Sequence, residues 1–99
     1  MKMDVSRNME GGTLTFAVSG RLDTNTSPEL EAEMKLDGAE EVVFDLAGLE
    51  YMSSAGLRVL MSVYKAMIAR GGKMRIVNPN AMVKSAFDIT GLSGVFSVE

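Results

Sequence analysis

The chain has no cysteine and no histidine. Without thiols there is no disulfide, no thiolate nucleophile and no cysteine-bound zinc to expect. Without imidazole, the commonest general base near neutral pH and the commonest transition-metal ligand are both missing. Together these absences weigh against most enzymes and against a resident metal. Basic residues are also outnumbered: ten Lys and Arg face thirteen Asp and Glu, for a net charge of -3. A nucleic-acid binder ordinarily carries a basic stripe. The nearest approach to one, Arg70-Gly71-Gly72-Lys73-Met74-Arg75, reads as a helix end followed by the start of a strand. No long apolar run occurs, and the most apolar stretch, Ala55 to Ala69, carries Arg58 and Lys65, so direct membrane insertion is not expected. Lys2, Asp4, Arg7 and Glu10 interrupt the N-terminal segment, which argues against a signal peptide and for a cytoplasmic location.

What is present fits one globular domain, residues 1–99, with 46% hydrophobic residues and a modest core. Most of the nine methionines fall at apolar positions and read as flexible core filling rather than metal ligands.

Period-two alternation on both sides of Gly11-Gly12 predicts a β-hairpin, its second strand carrying Leu14, Phe16 and Val18 and closed by Gly20. Arg21 to Thr26 reads as a polar loop. Ser27-Pro28-Glu29 then opens a short helix with a capping hydroxyl, a proline and a first-turn acid. Leu30, Ala32 and Met34 are its expected buried face, and Asp37-Gly38 its stop. The apolar run within Glu41–Leu46 suits a strand buried on both faces, followed by a loop over residues 47–54.

From Ala55 to Arg70, Leu57, Leu60, Met61, Tyr64, Met67 and Ile68 recur at helical spacing, and Gly71-Gly72 ends the helix. A strand over Met74–Val77, a helix capped at Asn78-Pro79 with Met82, Val83, Ala86, Phe87 and Ile89, and a last strand over Val95–Val98 complete the chain. The order β-β-α-β-α-β-α-β predicts an α/β fold, a mixed sheet with its helices packed mainly on one face.

The informative stretch runs from Phe44-Asp45-Leu46 through Ser53-Ser54-Ala55-Gly56-Leu57. It places two serines at a helix entrance, where backbone N–H groups lack partners and the dipole is positive. Such a place stabilises a phosphate, and the small Ala55 and Gly56 leave access to it. A serine there also serves as an ordinary cap, worth about 1 kcal/mol, and the two roles are compatible. Ser62-Val63-Tyr64-Lys65 matches a Ser-x-x-Lys pattern but lies inside the long helix without a catalytic set. Asp37, Glu40 and Glu41 read as a solvated edge.

The block resembles the phosphorylation-site signature of bacterial anti-sigma factor antagonists, which are STAS domains. Gly20-Arg21-Leu22-Asp23, the glycine pair Gly71-Gly72 and Phe87-Asp88-Ile89-Thr90-Gly91-Leu92 resemble further family motifs in the same order. The resemblance implies that Ser54 is the serine a partner kinase phosphorylates and that Asp23 is an acidic loop residue beside it. Ser53 stands where many members have aspartate, which removes a charge and makes Ser53 the second-choice acceptor. Asp23, Thr24, Ser53, Ala55, Gly56, Leu57 and Arg58 are the implied partner-binding residues.

The implied function is a binding switch. The unmodified chain docks on an anti-sigma factor that is also a serine kinase, and frees the sigma factor. Phosphorylation opposes docking, and a phosphatase resets it. ATP belongs to the partner, so this chain is expected to need no cofactor or metal and to perform no catalysis. The alternative is a free-standing STAS subunit regulating a membrane transporter, such as a phospholipid-transport ATPase complex.

Overall fold

The computed structural model describes residues 3–99; Lys2, one of the N-terminal charges named above, lies outside them. The strands are β1 (Met3–Glu10), β2 (Thr13–Leu22), β3 (Glu41–Met52), β4 (Lys73–Val77) and β5 (Ser97–Val98). The helices are α1 (Ser27–Ala32), α2 (Ser54–Ala69) and α3 (Ala81–Ile89), with a short 3₁₀ turn at Leu92–Gly94. One sheet holds the strands in the order β1-β2-β3-β4-β5. β1 is antiparallel to β2 and every later pair is parallel.

That order explains the layering. Each parallel crossover is right-handed by preference, and the chain always steps in the same direction across the sheet. The three helices are therefore carried to one face, as expected from the sequence. Leu14, Phe16, Val18 and Leu22 of β2, Val42, Phe44 and Leu46 of β3, and Met74 and Ile76 of β4 form the buried strand side of the core. Phe16 and Phe44 are register partners whose rings stack at 5.5 Å. The alternate residues form the opposite face, polar around the buried Val43, where Arg75 bonds Glu41 at 2.9 Å and Glu99 at 3.1 Å. Glu99 first and then Glu41 hold the Arg75 guanidinium above its ordinary pKa.

α2 buries Val59, Leu60, Val63 and Met67 against the sheet. It ends in a Schellman arrangement, with Gly72 N–H donating to Met67 C=O at 2.7 Å and Gly71 N–H to Ile68 C=O at 3.0 Å. Gly71 takes the left-handed φ of +76° that this turn requires.

Several boundaries differ from the sequence reading. β2 does not stop at Gly20: a ladder irregularity beside that residue, with φ +88°, bends the strand and lets it reach Leu22. β3 runs six residues past Leu46, so most of the expected loop is strand. Its register slips by one residue between the Ala17–Asp45 and Ser19–Gly48 pairs, an irregularity that local patterning does not reveal. A Cβ on Gly48 would lie 2.7 Å from that of Ser19, so only glycine fits this crossing without a shift.

The first helix ends at Ala32, short of Asp37, and Ala32 is exposed. Thr26, not Ser27, is its N-cap residue. Asn80, not Asn78, caps α3, its Oδ1 accepting from Val83 N–H at 2.8 Å. The apolar stripes centre on Val59/Val63 and Val83/Phe87, which turns Ile68, Met82 and Ile89 out to solvent. Val95 and Phe96 precede β5 rather than belong to it. Phe96 is buried in ring contact with Tyr64 at 5.6 Å and Phe87 at 5.8 Å.

Candidate functional site

Parallel strands β2 and β3 end side by side, and the segments that follow them build the site. After β2 comes the loop Asp23–Thr26; after β3 the chain enters α2 directly at Ser53-Ser54. The Ser53 N–H donates to the Leu22 carbonyl at 2.8 Å and ties the two exits together.

The Asp23 loop is locked by its own polar groups. Asp23 Oδ1 accepts from Asn25 N–H at 2.9 Å and from Thr26 N–H at 3.0 Å. The Thr26 hydroxyl donates to Arg21 C=O at 2.7 Å and accepts from Asp23 N–H at 2.8 Å. Ser27 Oγ closes the set on Asp23 C=O at 2.6 Å. Thr26 and Ser27 are buried, so each hydroxyl needs these partners. The Thr26 N–H bond is the main cause that holds the Asp23 carboxyl below its ordinary pKa; desolvation opposes it, and Asn25, the Thr26 hydroxyl and the Arg21 charge assist. Asp23 therefore presents a fixed negative charge on a rigid loop.

The two serines have different environments. Ser53 is the N-cap residue of α2, yet its side chain makes no capping bond. Its Oγ is buried without a hydrogen-bond partner. The expectation of a serine hydroxyl capping this helix is not met. Ser54 occupies the first helical position and is exposed. Since the first-turn amides have no intrahelical acceptor and receive no side-chain cap, the positive end of a sixteen-residue helix faces the Ser54 region.

The remaining residues named from the sequence separate into two groups. Thr24, Ala55 and Arg58 line a shallow groove of about 280 Å³ between α1 and α2, with Pro28 and Glu31 opposite. Gly56 is buried instead, and a Cβ there would lie 2.8 Å from the Leu22 side chain. Its part in the site is to let α2 approach β2. Leu57 is half-buried against the core. No hydrogen bond joins Asp23 to Ser54 among the described residues, so the two are neighbours through the backbone tie rather than partners.

Two contributors escaped the sequence reading. Thr26 carries the loop, and a signal existed in the Asp-x-x-Thr spacing typical of side-chain-closed turns. Arg21 stacks its guanidinium 4.4 Å over the Tyr51 ring. That contact depends on the β2–β3 register, in which Arg21 faces Tyr51, and no local pattern reports it.

Among the described residues, no cluster of three or more acidic side chains is placed to hold a metal ion, and no helix is long and apolar enough to cross a membrane. Asp37 and Glu41, read as part of a solvated edge, are each paired with an arginine: Asp37 with Arg7, Glu41 with Arg75.

The model of the family described as STAS domain matches residues 4–99. An anti-sigma F factor antagonist of Paenibacillus polymyxa is 30% identical, over 99% of this chain and 87% of its own length. An anti-sigma-B factor antagonist of Staphylococcus epidermidis is 34% identical, over 82% of this chain and 78% of its own length. Among solved structures, an anti-sigma factor antagonist from Mycobacterium paratuberculosis superposes with a TM-score of 0.86 at 25% identity, covering 98% of this chain and 85% of that one.

Proposed function

The chain belongs to the STAS domain family, and on that premise we propose that it is an anti-sigma factor antagonist switched by phosphorylation of Ser54. The domain spans residues 1–99 and acts in the cytoplasm. In the unmodified state it docks on an anti-sigma factor with serine kinase activity, and the sigma factor is released. The kinase supplies ATP and the catalytic groups; this chain is its ligand and its substrate. A phosphatase restores the docking form.

The observation that carries this reading is the contrast between the two serines. Ser54 is exposed at the positive end of α2, while the Ser53 hydroxyl is buried. A kinase needs an accessible hydroxyl, which selects Ser54 and disfavours Ser53. Phosphorylation adds about 1.5 to 2 negative charges at neutral pH. The helix end stabilises the group locally. It also stands near the fixed carboxylate of Asp23 and changes the charge of the docking face.

Intact-mass analysis after incubation with ATP and an anti-sigma serine kinase from the same genome tests the reading. One phosphoryl group on wild type and none on Ser54→Ala is the expected result. Equal addition to the variant would move the site to another hydroxyl. No addition to wild type, by a kinase active on its own substrate, would set the switch aside in favour of the transporter-subunit reading.

A further inference from the structure

The chain contains five arginines, and the fold divides them. Three are held by their own chain. Arg7 bonds Lys35 C=O at 2.5 Å and Asp37 Oδ2 at 2.6 Å. Arg70 bonds the carbonyls of Asp37 at 3.1 Å and Ala39 at 3.2 Å. Arg75 bridges Glu41 and Glu99. The other two, Arg21 and Arg58, are exposed, and neither guanidinium makes a hydrogen bond or ion pair with any described residue. Both lie at the Ser54 end of the molecule.

Their placement follows from the fold. Arg58 is four residues after Ser54 on α2, one turn along the same face, where Cβ atoms are roughly 5–6 Å apart. Arg21 approaches from the other side. It precedes Leu22, whose carbonyl is tied to Ser53, and its guanidinium rests on the Tyr51 ring. Stacking restricts the side chain but leaves the N–H groups at its edge free, so less freedom is lost when they bind an oxyanion. The described lysines, Lys35, Lys65, Lys73 and Lys84, also lack ion pairs, but none of them stacks on an aromatic ring or stands one turn from Ser54.

A guanidinium with open donors is matched by a carboxylate or a phosphate. We propose that Arg21 and Arg58 are docking contacts for carboxylates on the partner protein, and that the phosphate on Ser54 competes for the same two groups. The proposal rests on the partner-switching reading and deepens it. Phosphorylation then blocks docking from within, by occupying the cations the partner needs, besides adding repulsion around Asp23.

The test measures binding of the kinase that modifies wild type, by biolayer interferometry across a salt series, with the chain unmodified and phosphorylated. The variants are Arg21→Gln, Arg58→Gln, the double variant, and Arg75→Gln as a charge-matched control, each checked for an unchanged unfolding midpoint except the control. The double variant is expected to bind the kinase about tenfold more weakly, with a shallower salt dependence and a smaller loss on phosphorylation. Arg75→Gln is expected to stay within about twofold of wild type, since Arg75 pairs with Val43 near the start of β3, whereas Arg21 pairs with Tyr51 near its end.

A double variant that binds as tightly as wild type with the same salt dependence overturns the arginine assignment and leaves the switch intact. Failure of wild type itself to bind overturns both. Phosphatidylglycerol vesicles form a separate arm. Retention of wild type on them, lost in the double variant while kinase binding is unchanged, would reassign the pair to an anionic lipid surface and overturn the proposal.

Discussion

Ser53 N–H donates to Leu22 C=O at 2.8 Å, and this one bond sets the entrance of α2 against the exit of β2. The modification candidate and the acidic loop come from separate crossovers of the fold. Their common position depends on this tie and on the packing directly beneath it.

Gly56 is where that packing is tightest. An added Cβ would fall 2.8 Å from Leu22 Cγ and Cδ2 and 3.0 Å from Met52 Cγ. Gly56→Ala should destabilise the fold by about 1–3 kcal/mol through overpacking, despite alanine's better helix propensity. Chemical denaturation measures this. A stabilised variant would mean that Leu22 and Met52 yield freely and that the close approach is not required.

Ser53 gives the opposite expectation. Its Oγ is buried and unpartnered, so the hydroxyl carries a desolvation cost without a compensating bond. Ser53→Ala should therefore be neutral or stabilising by up to about 1 kcal/mol. A loss of about 1 kcal/mol instead would identify the hydroxyl as a working cap in solution.

Asp23 supplies a pH test. Its folded-state pKa lies below the ordinary value, chiefly because Thr26 N–H bonds the ionised carboxylate. A depressed carboxyl pKa contributes stability that is present above the unfolded-state value near 3.9. That contribution is lost as the pH falls through the lower folded value. Carbon-13 NMR of the carboxyl should show Asp23 titrating below the ordinary aspartate range. Thr26→Val should raise its titration midpoint, because the hydroxyl contact with Asp23 Oδ1 at 3.2 Å is gone, while Thr26→Ser should leave it low. A wild-type midpoint at or above the ordinary range would show that the loop does not hold the carboxylate as described.

Much of the architecture was legible in the sequence because its signals are local. Alternation around Gly11-Gly12 specifies a hairpin, and Leu60 and Met67 recur at the spacing of one helix face, although the buried stripe centres on Val59 and Val63. The boundaries were less legible where tertiary contacts override local punctuation. Gly20 looks like a strand end, yet β2 continues because β3 beside it supplies hydrogen-bond partners as far as Met52. Asn78-Pro79 carries a capping pattern, but Asn80 caps α3 and also reaches across to Leu49 C=O at 3.1 Å.

The sequence by itself determined the α/β order, the two-serine entrance to the long helix and the motifs that point to a STAS domain. These depend on residue type and short spacing, which the linear chain preserves. Only the tertiary structure distinguished the exposed Ser54 from Ser53 with its buried hydroxyl, because exposure of a hydroxyl depends on what packs over it. Only the fold separated Arg21 and Arg58 from the three arginines it uses internally. Their partners lie tens of residues away, as with Arg7 and Asp37 or Arg75 and Glu41. Which charge finds a partner is settled by strand register and crossover packing, long-range relationships that short sequence patterns do not encode.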